Sequence, residues 1–528
     1  MKKPLYKISF LAAGVLSFGI CAAQKDTTKK SVDITSAFRP VLKESAKINF
    51  NATPPSSDTT KPSLKYDIPN QNLALGFQPG SLKPLALQVD SSGKWDNSSY
   101  IKAGFGSLKT PYVQAGFSFG DGSNAGLNIF AKHVSSKGKR DYQDFTNTQF
   151  KLSGFYKSAG NNEWNASIGM KQDKTYKYGY EPSTLIFTTD SLKQNFQTIA
   201  GRVSMRNINK TAFGLSYAPE VKIDVFSDNL KNNESNTVVN LPLEKTVGND
   251  FAVNLGLTFD LTRLSPKNKS AVNNTVYYIS PSVLYKTSKV YLQAGIRPSW
   301  DNKTFKMFPN ILAEVGTDDQ RFFFQAGWTG YIRKTTYQYL ASQNPWLWLP
   351  STLKNTWIEE RFAGFKGSVG DHFTYSAKVG FNKLNNQPLF VNDTTAGLGG
   401  KSFVVLYEPR MNVLHLGGQL GYAVQEKFSV LAGWSFNKYT GLKQEDKPWG
   451  MIPLEVNAAM RVQVIKDLWL KADIFGWTRT LYKQADGGKA KLDGAIDLNA
   501  GLEFKITKNV NLWAQFNNIG NKEYQRWN

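Results

Sequence analysis

The chain has 528 residues and a formal charge of +23, with 43 glycines, 13 tryptophans, 13% aromatic residues, three histidines and one cysteine. That mixture does not suggest a soluble enzyme, and the lone cysteine falls inside an apparent leader. Residues 1–23 have the basic start (Lys2, Lys3, Lys7), apolar run and small-residue end of a secretory signal cleaved after Ala23. Phe18, Gly19 and Ile20 fit poorly as a lipidation site before Cys21. Removal of the leader takes Cys21 with it, leaving a mature chain without a disulfide or a thiolate metal site.

Beyond the leader no run approaches the 18 or more apolar residues of a spanning helix. An exported, aromatic-rich chain of this kind is either a soluble all-β protein or a barrel whose strands cross a membrane. Residues 24–98 are rich in Pro, Ser, Thr and Lys and weakly periodic, which predicts an extended periplasmic or lumen-filling arm. From Ser99 to the end, runs of about ten residues alternate between apolar and polar positions. In residues 493–506, for example, Ile496, Leu498, Leu502 and Phe504 oppose Asp497, Asn499, Glu503 and Lys505.

The connections decide between the two alternatives. Very short turns (424–427, 465–467, 507–509) alternate with long polar segments (175–196, 333–356, 385–409, 439–451, 482–492), the asymmetry of an outer-membrane barrel. Counting runs from 99–107 to 509–518 gives about 21 strands. The weakest is 236–243, because Pro242 cannot donate to a ladder. Dropping it would move the later long loops to the other side, so parity favours keeping it. An even-numbered barrel of about 22 strands then needs one more inward strand, and the sequence predicts about 15–30 further residues beyond residue 528 that would close against 99–107.

The segment Asn-Asn-Ile-Gly-Asn-Lys-Glu-Tyr-Gln, 517–525, resembles the run near the C-terminus of TonB-dependent receptors. This resemblance implies a barrel of that family's strand number and an outer-membrane location in a Gram-negative-type bacterium. The sequence departs from the family in having too few residues before the first strand for its usual plug domain. Ser31–Thr35 is similar to the family's short energy-coupling box, but the composition of 24–98 favours the arm. A barrel of this size without a plug needs another lumen filler: the arm, inward-folded loops or a second protein.

Candidate chemistry is sparse. His133, His372 and His415 lie far apart, and residues 396–402 end like a phosphate-binding loop but have Thr395 in place of its first glycine. Neither carries a cofactor or metal assignment, and no catalytic constellation stands out. Glu455, Arg461, Lys471, Asp473, Asp497, Glu503 and Lys505 share polar faces and are predicted to be mutually compensating lumen charges. The positive charge is spread without an aromatic platform for bases, which argues against nucleic acid and suits outer-membrane lipid, anionic lipopolysaccharide or a solute. Trp346, Trp348 and Leu349 form a candidate lid or docking surface in a long outer loop. Phe38, Arg39, Val41, Leu42 and Phe50 form a candidate contact of the arm with the lumen wall or a periplasmic partner. Two functions follow: solute transport across the outer membrane, or a non-transporting scaffold subunit of an outer-membrane complex.

Overall fold

A computed structural model describes residues 99–180, 186–392, 400–425, 427–484 and 486–527. The leader, the 24–98 arm with Phe38, Arg39, Val41, Leu42 and Phe50, and the strand expected after residue 528 lie outside the described residues. From Ser99 onward the chain forms one 22-stranded antiparallel sheet in which sequence neighbours pair, with two small hairpins outside it. Two of the 22, Leu215–Tyr217 and Glu220–Ser227, lie in line against Asn233–Val247 and make a single crossing, which the alternation of residues 211–226 anticipates.

The wall is built inside out relative to a soluble protein. In Ala495–Lys505, Ile496 and Phe504 are 63% and 43% exposed, whereas Asp497 and Glu503 are 3% and 5% exposed. The same inversion recurs in Ser99–Gly106 and Thr110–Gly120, where Ile101, Phe105 and Val113 point outward and Gln114 is buried. A strand surface that exposes its apolar side and buries its polar side is satisfied when hydrocarbon bathes the first and the second lines a polar interior. No helix among the described residues is long and apolar enough to cross a membrane.

Pro242 sits inside Asn233–Val247, and the structure explains how the strand accommodates it. The partner chain breaks between Tyr217 and Glu220, at Ala218 and Pro219, directly opposite. The ladder is interrupted where Pro242 has no N–H to give, while its carbonyl accepts from Ala218 N at 3.3 Å.

Ser99–Gly106 pairs with Thr110–Gly120, and Asn511–Phe516 pairs with Ala495–Lys505. Among the described residues no backbone ladder joins the first of these strands to the last. Trp513 bridges them instead. Its indole lies 4.3 Å from Lys102 Nζ and 5.6 Å from the Tyr112 ring. It also covers Gly104, where a Cβ would fall 2.5 Å from an indole carbon.

Buried polar side chains of the wall are largely paired. Lys378 Nζ meets Glu360 at 2.7 Å with both side chains almost fully buried, Lys471 meets Glu503 at 2.9 Å, and Lys366 meets Glu314 at 2.8 Å. Pairing of this kind is what a charge taken out of bulk water requires.

Candidate functional site

All the long connections leave the sheet at one end, and there they pack on one another. Residues 334–355 carry the helix Tyr337–Gln343. Residues 386–410 form the hairpin Gln387–Asn392 with Phe403–Glu408, and residues 478–494 form the hairpin Thr480–Lys483 with Lys489–Leu492. Both hairpins fall in segments that the sequence presents as long polar loops. The second has too few hydrophobic residues to announce a strand, whereas the run Phe403–Tyr407 opposite Leu389–Val391 is a strand signal that the reading of 385–409 as a loop missed.

The result is a cap with an ordinary hydrophobic core. Leu340 and Leu347 are buried with Phe390, Phe403 and Trp527, which come from three separate segments. Trp527 meets the rings of Phe390 and Phe403 edge-on at 5.2 and 5.8 Å. Beneath it lies Gly450, with φ +70, where a Cβ would fall 2.5 Å from the indole. Only glycine suits both that backbone conformation and that contact.

Two buried carboxylates lock the cap by binding backbone amides. Glu234 accepts from Tyr337 N and Gln338 N at the start of the loop helix. Glu408 accepts from Lys443 N at 2.7 Å, Gln444 N at 3.1 Å and Glu445 N at 2.8 Å, tying residues 441–453 to the neighbouring hairpin. Charge-assisted bonds to amides that water does not reach are among the stronger polar contacts in proteins. Neither glutamate was distinguishable in the sequence, because their partners lie about a hundred and about 35 residues away.

Of the candidate loop residues, Trp346 is half-buried, edge-on to Tyr178 at 5.3 Å and stacked on Phe403 at 6.4 Å. Leu349 packs against the same core, while Trp348 remains 39% exposed. Among the polar-face residues, Lys471 pairs with Glu503, Asp497 accepts from Tyr524 Oη at 2.9 Å, and the Arg461 guanidinium lies 5.6 Å from the Trp469 ring. Glu455 faces Arg526 electrostatically. Asp473 lies opposite Asn499 and Ala459 in the sheet, and Lys505 opposite Asn511.

The three histidines are not brought together. They hydrogen-bond with Thr148, the Ala423 carbonyl and Asn437 respectively. Among the described residues no group of three metal-ligating side chains forms.

The end of the 396–402 segment does form an electrostatic feature. Lys177, 6% exposed, donates from Nζ to the Oγ of fully buried Ser402 at 2.7 Å. Burial, with repulsion from Lys401, pulls the Lys177 ammonium down to about 8. Burial also lowers Lys401, whose ammonium stands 3.7 Å from the Phe187 ring centroid. Among the described residues no carboxylate pairs with either lysine. This is a concentration of positive charge set within the cap, of the kind that attracts an anion.

No protein-family model and no curated protein matches the sequence. The structure, however, is similar to several solved ones. The FrpB iron transporter from Neisseria meningitidis (F5-1 variant) superposes with a TM-score of 0.65 at 11% identity, over 81% of this chain and 79% of that one. The pyoverdine outer membrane receptor FpvA from Pseudomonas aeruginosa superposes with a TM-score of 0.60 at 9% identity, over 81% and 75%. The siderophore receptor PirA from Acinetobacter baumannii does so with a TM-score of 0.58 at 9% identity, over 80% and 76%. The wall of this chain therefore has the fold of the large antiparallel barrels of TonB-dependent receptors.

Proposed function

We propose that this protein is an outer-membrane transport barrel that captures an anionic solute at its loop cap. The observation that carries the reading is the Lys177, Lys401 and Ser402 group, in which a buried ammonium has a hydroxyl partner and a second cation beside it. The apolar outward face fits residence in the outer membrane of a Gram-negative-type bacterium, with lipid and lipopolysaccharide as its surroundings. The solved structures it resembles are an iron transporter, a pyoverdine outer membrane receptor and a siderophore receptor, which supports uptake as the function.

Titration of the purified protein with citrate, ferric citrate and inorganic phosphate tests this, read by tryptophan emission because Trp346 lies edge-on to Tyr178, next in sequence to Lys177. At least one probe is expected to bind saturably, and Lys177→Met with Lys401→Met to weaken it by on the order of tenfold or more, about 1.4 kcal/mol. Equal affinity in the double variant would sink the cap lysines as the site. A wild-type protein that binds none of the probes and copurifies in fixed stoichiometry with another protein would replace transport by the scaffold reading.

A further inference from the structure

Arg526 lies in the segment that follows the last strand of the sheet, and its guanidinium is set into the cap. Its Nη2 donates to the Gly450 carbonyl at 2.8 Å and its face lies 4.1 Å from the Trp527 ring centroid. The residue as a whole is half-buried, yet Nε and Nη1 are shielded from solvent and have no hydrogen-bond partner. Leaving two charged N–H groups unmatched away from water is costly, and such groups in folded proteins are normally met by a buried water or an ion.

The space for that partner is present. A cavity of about 20 Å³ is lined by Arg526 and Arg333 together with Gln387, Trp449, Gly450 and Trp527. That volume exceeds the roughly 10–15 Å³ needed to hold a water and is too small for an organic acid. Its charge decides between a neutral and an ionic occupant. Two guanidiniums line it and no carboxylate does, while Glu455 is the acid that acts on Arg526 from outside the lining. Burial still pulls the Arg526 guanidinium down to about 10, so the acid does not restore its ordinary value.

We infer that this cavity is a monatomic anion site, occupied by chloride, which binds Arg526 beside Arg333 and pins residues 517–527 to the cap. The site is separate from the Lys177 group and does not depend on the proposed transport. Chloride accepts the orphan N–H groups and offsets a charge that water would leave uncompensated. Through Arg526 and its hydrogen bond to Gly450, it also holds Trp527 in the core between Phe390 and Phe403.

The test is crystallisation of the full chain in bromide with diffraction at the bromine edge, paired with limited proteolysis of the cap in chloride or gluconate at equal ionic strength. An anomalous peak between Arg526 and Trp449 is expected, and its absence overturns the proposal in favour of a water. Chloride well above its dissociation constant is expected to slow cleavage within 517–527 by on the order of tenfold relative to gluconate, which is too large to enter. Arg526→Met should cleave equally in both salts; a chloride effect that survives in this variant would also overturn the assignment. The bromide measurement uses the wild-type protein and so stands whether or not the variant folds.

Discussion

The wall and the cap are made by one chain under opposite rules. In the wall, Leu498 faces outward at 41% exposure while neighbouring Asp497 is buried; in the cap, Leu340 is fully buried among apolar side chains. The wall's order is local: each strand is complete once it lies beside its sequence neighbour, and its alternation follows from pleat geometry. The cap's core is non-local, since Phe390, Leu340 and Trp527 meet only after their strands are in place. Buried apolar area in water stabilises the second, whereas backbone pairing in hydrocarbon compels the first.

The comparison is broken most severely by truncating the cap core. Leu340→Ala should cost the cap about 2–5 kcal/mol, the usual range for emptying a packed leucine site. Protease cleavage in 334–355 should accelerate, while heat-modifiable mobility on a gel, which reports the wall, stays unchanged. Loss of both together would show that wall and cap fold as one unit.

The reverse substitution is Leu498→Lys. On a water-exposed surface it would change stability by less than about 0.5 kcal/mol. On a hydrocarbon-facing strand it should cost about 2–4 kcal/mol at mid-depth, less near an interface. Unfolding by urea in lipid vesicles measures the difference, and a cost near zero would place that face in water or against another protein.

A smaller effect is expected from Glu408→Gln, which keeps size but removes the charge that three amides of residues 443–445 bind. Weakening a charge-assisted hydrogen-bond set to a neutral one should cost about 1–3 kcal/mol. Hydrogen exchange at Lys443, Gln444 and Glu445 should quicken with no change in the strands, and uniform quickening would refute a local latch.

These cases explain how far the sequence could be read. The strands were legible in number and order, including the weak one at Pro242, although 236–243 extends in fact over Asn233–Val247, because a two-residue period and short turns are properties of the local chain while strand ends depend on the partner. The cap was not: residues 482–492 read as a polar loop and 478–481 as the end of a wall strand, yet Thr480–Lys483 pairs with Lys489–Leu492. The Trp346 segment was recognisable as unusual for a loop, but nothing in it specified Tyr178 as a neighbour. Lys177 and Ser402 are 225 positions apart, so the buried ammonium and its hydroxyl partner leave no trace in either local segment.

Lys177 also gives the most selective test of the cap. Its folded-state value, about 8, lies below the ordinary lysine value of 10.5 because burial and Lys401 disfavour the charge. Below about pH 8 the ammonium is charged in both folded and unfolded chains, and the folded cap bears the whole cost. Between 8 and 10.5 the unfolded chain holds the proton that the folded one has released, so stability rises with pH; above 10.5 the cost is gone. Lys177→Met should therefore slow cap proteolysis relative to wild type at pH 7, and this advantage should shrink to nothing as pH approaches 10.5. An advantage that stays constant with pH would mean that packing, not charge, sets the effect. If the advantage behaves as expected while anion binding falls, then the cap sacrifices stability at Lys177 to keep a cation where an anion arrives, as functional sites commonly do.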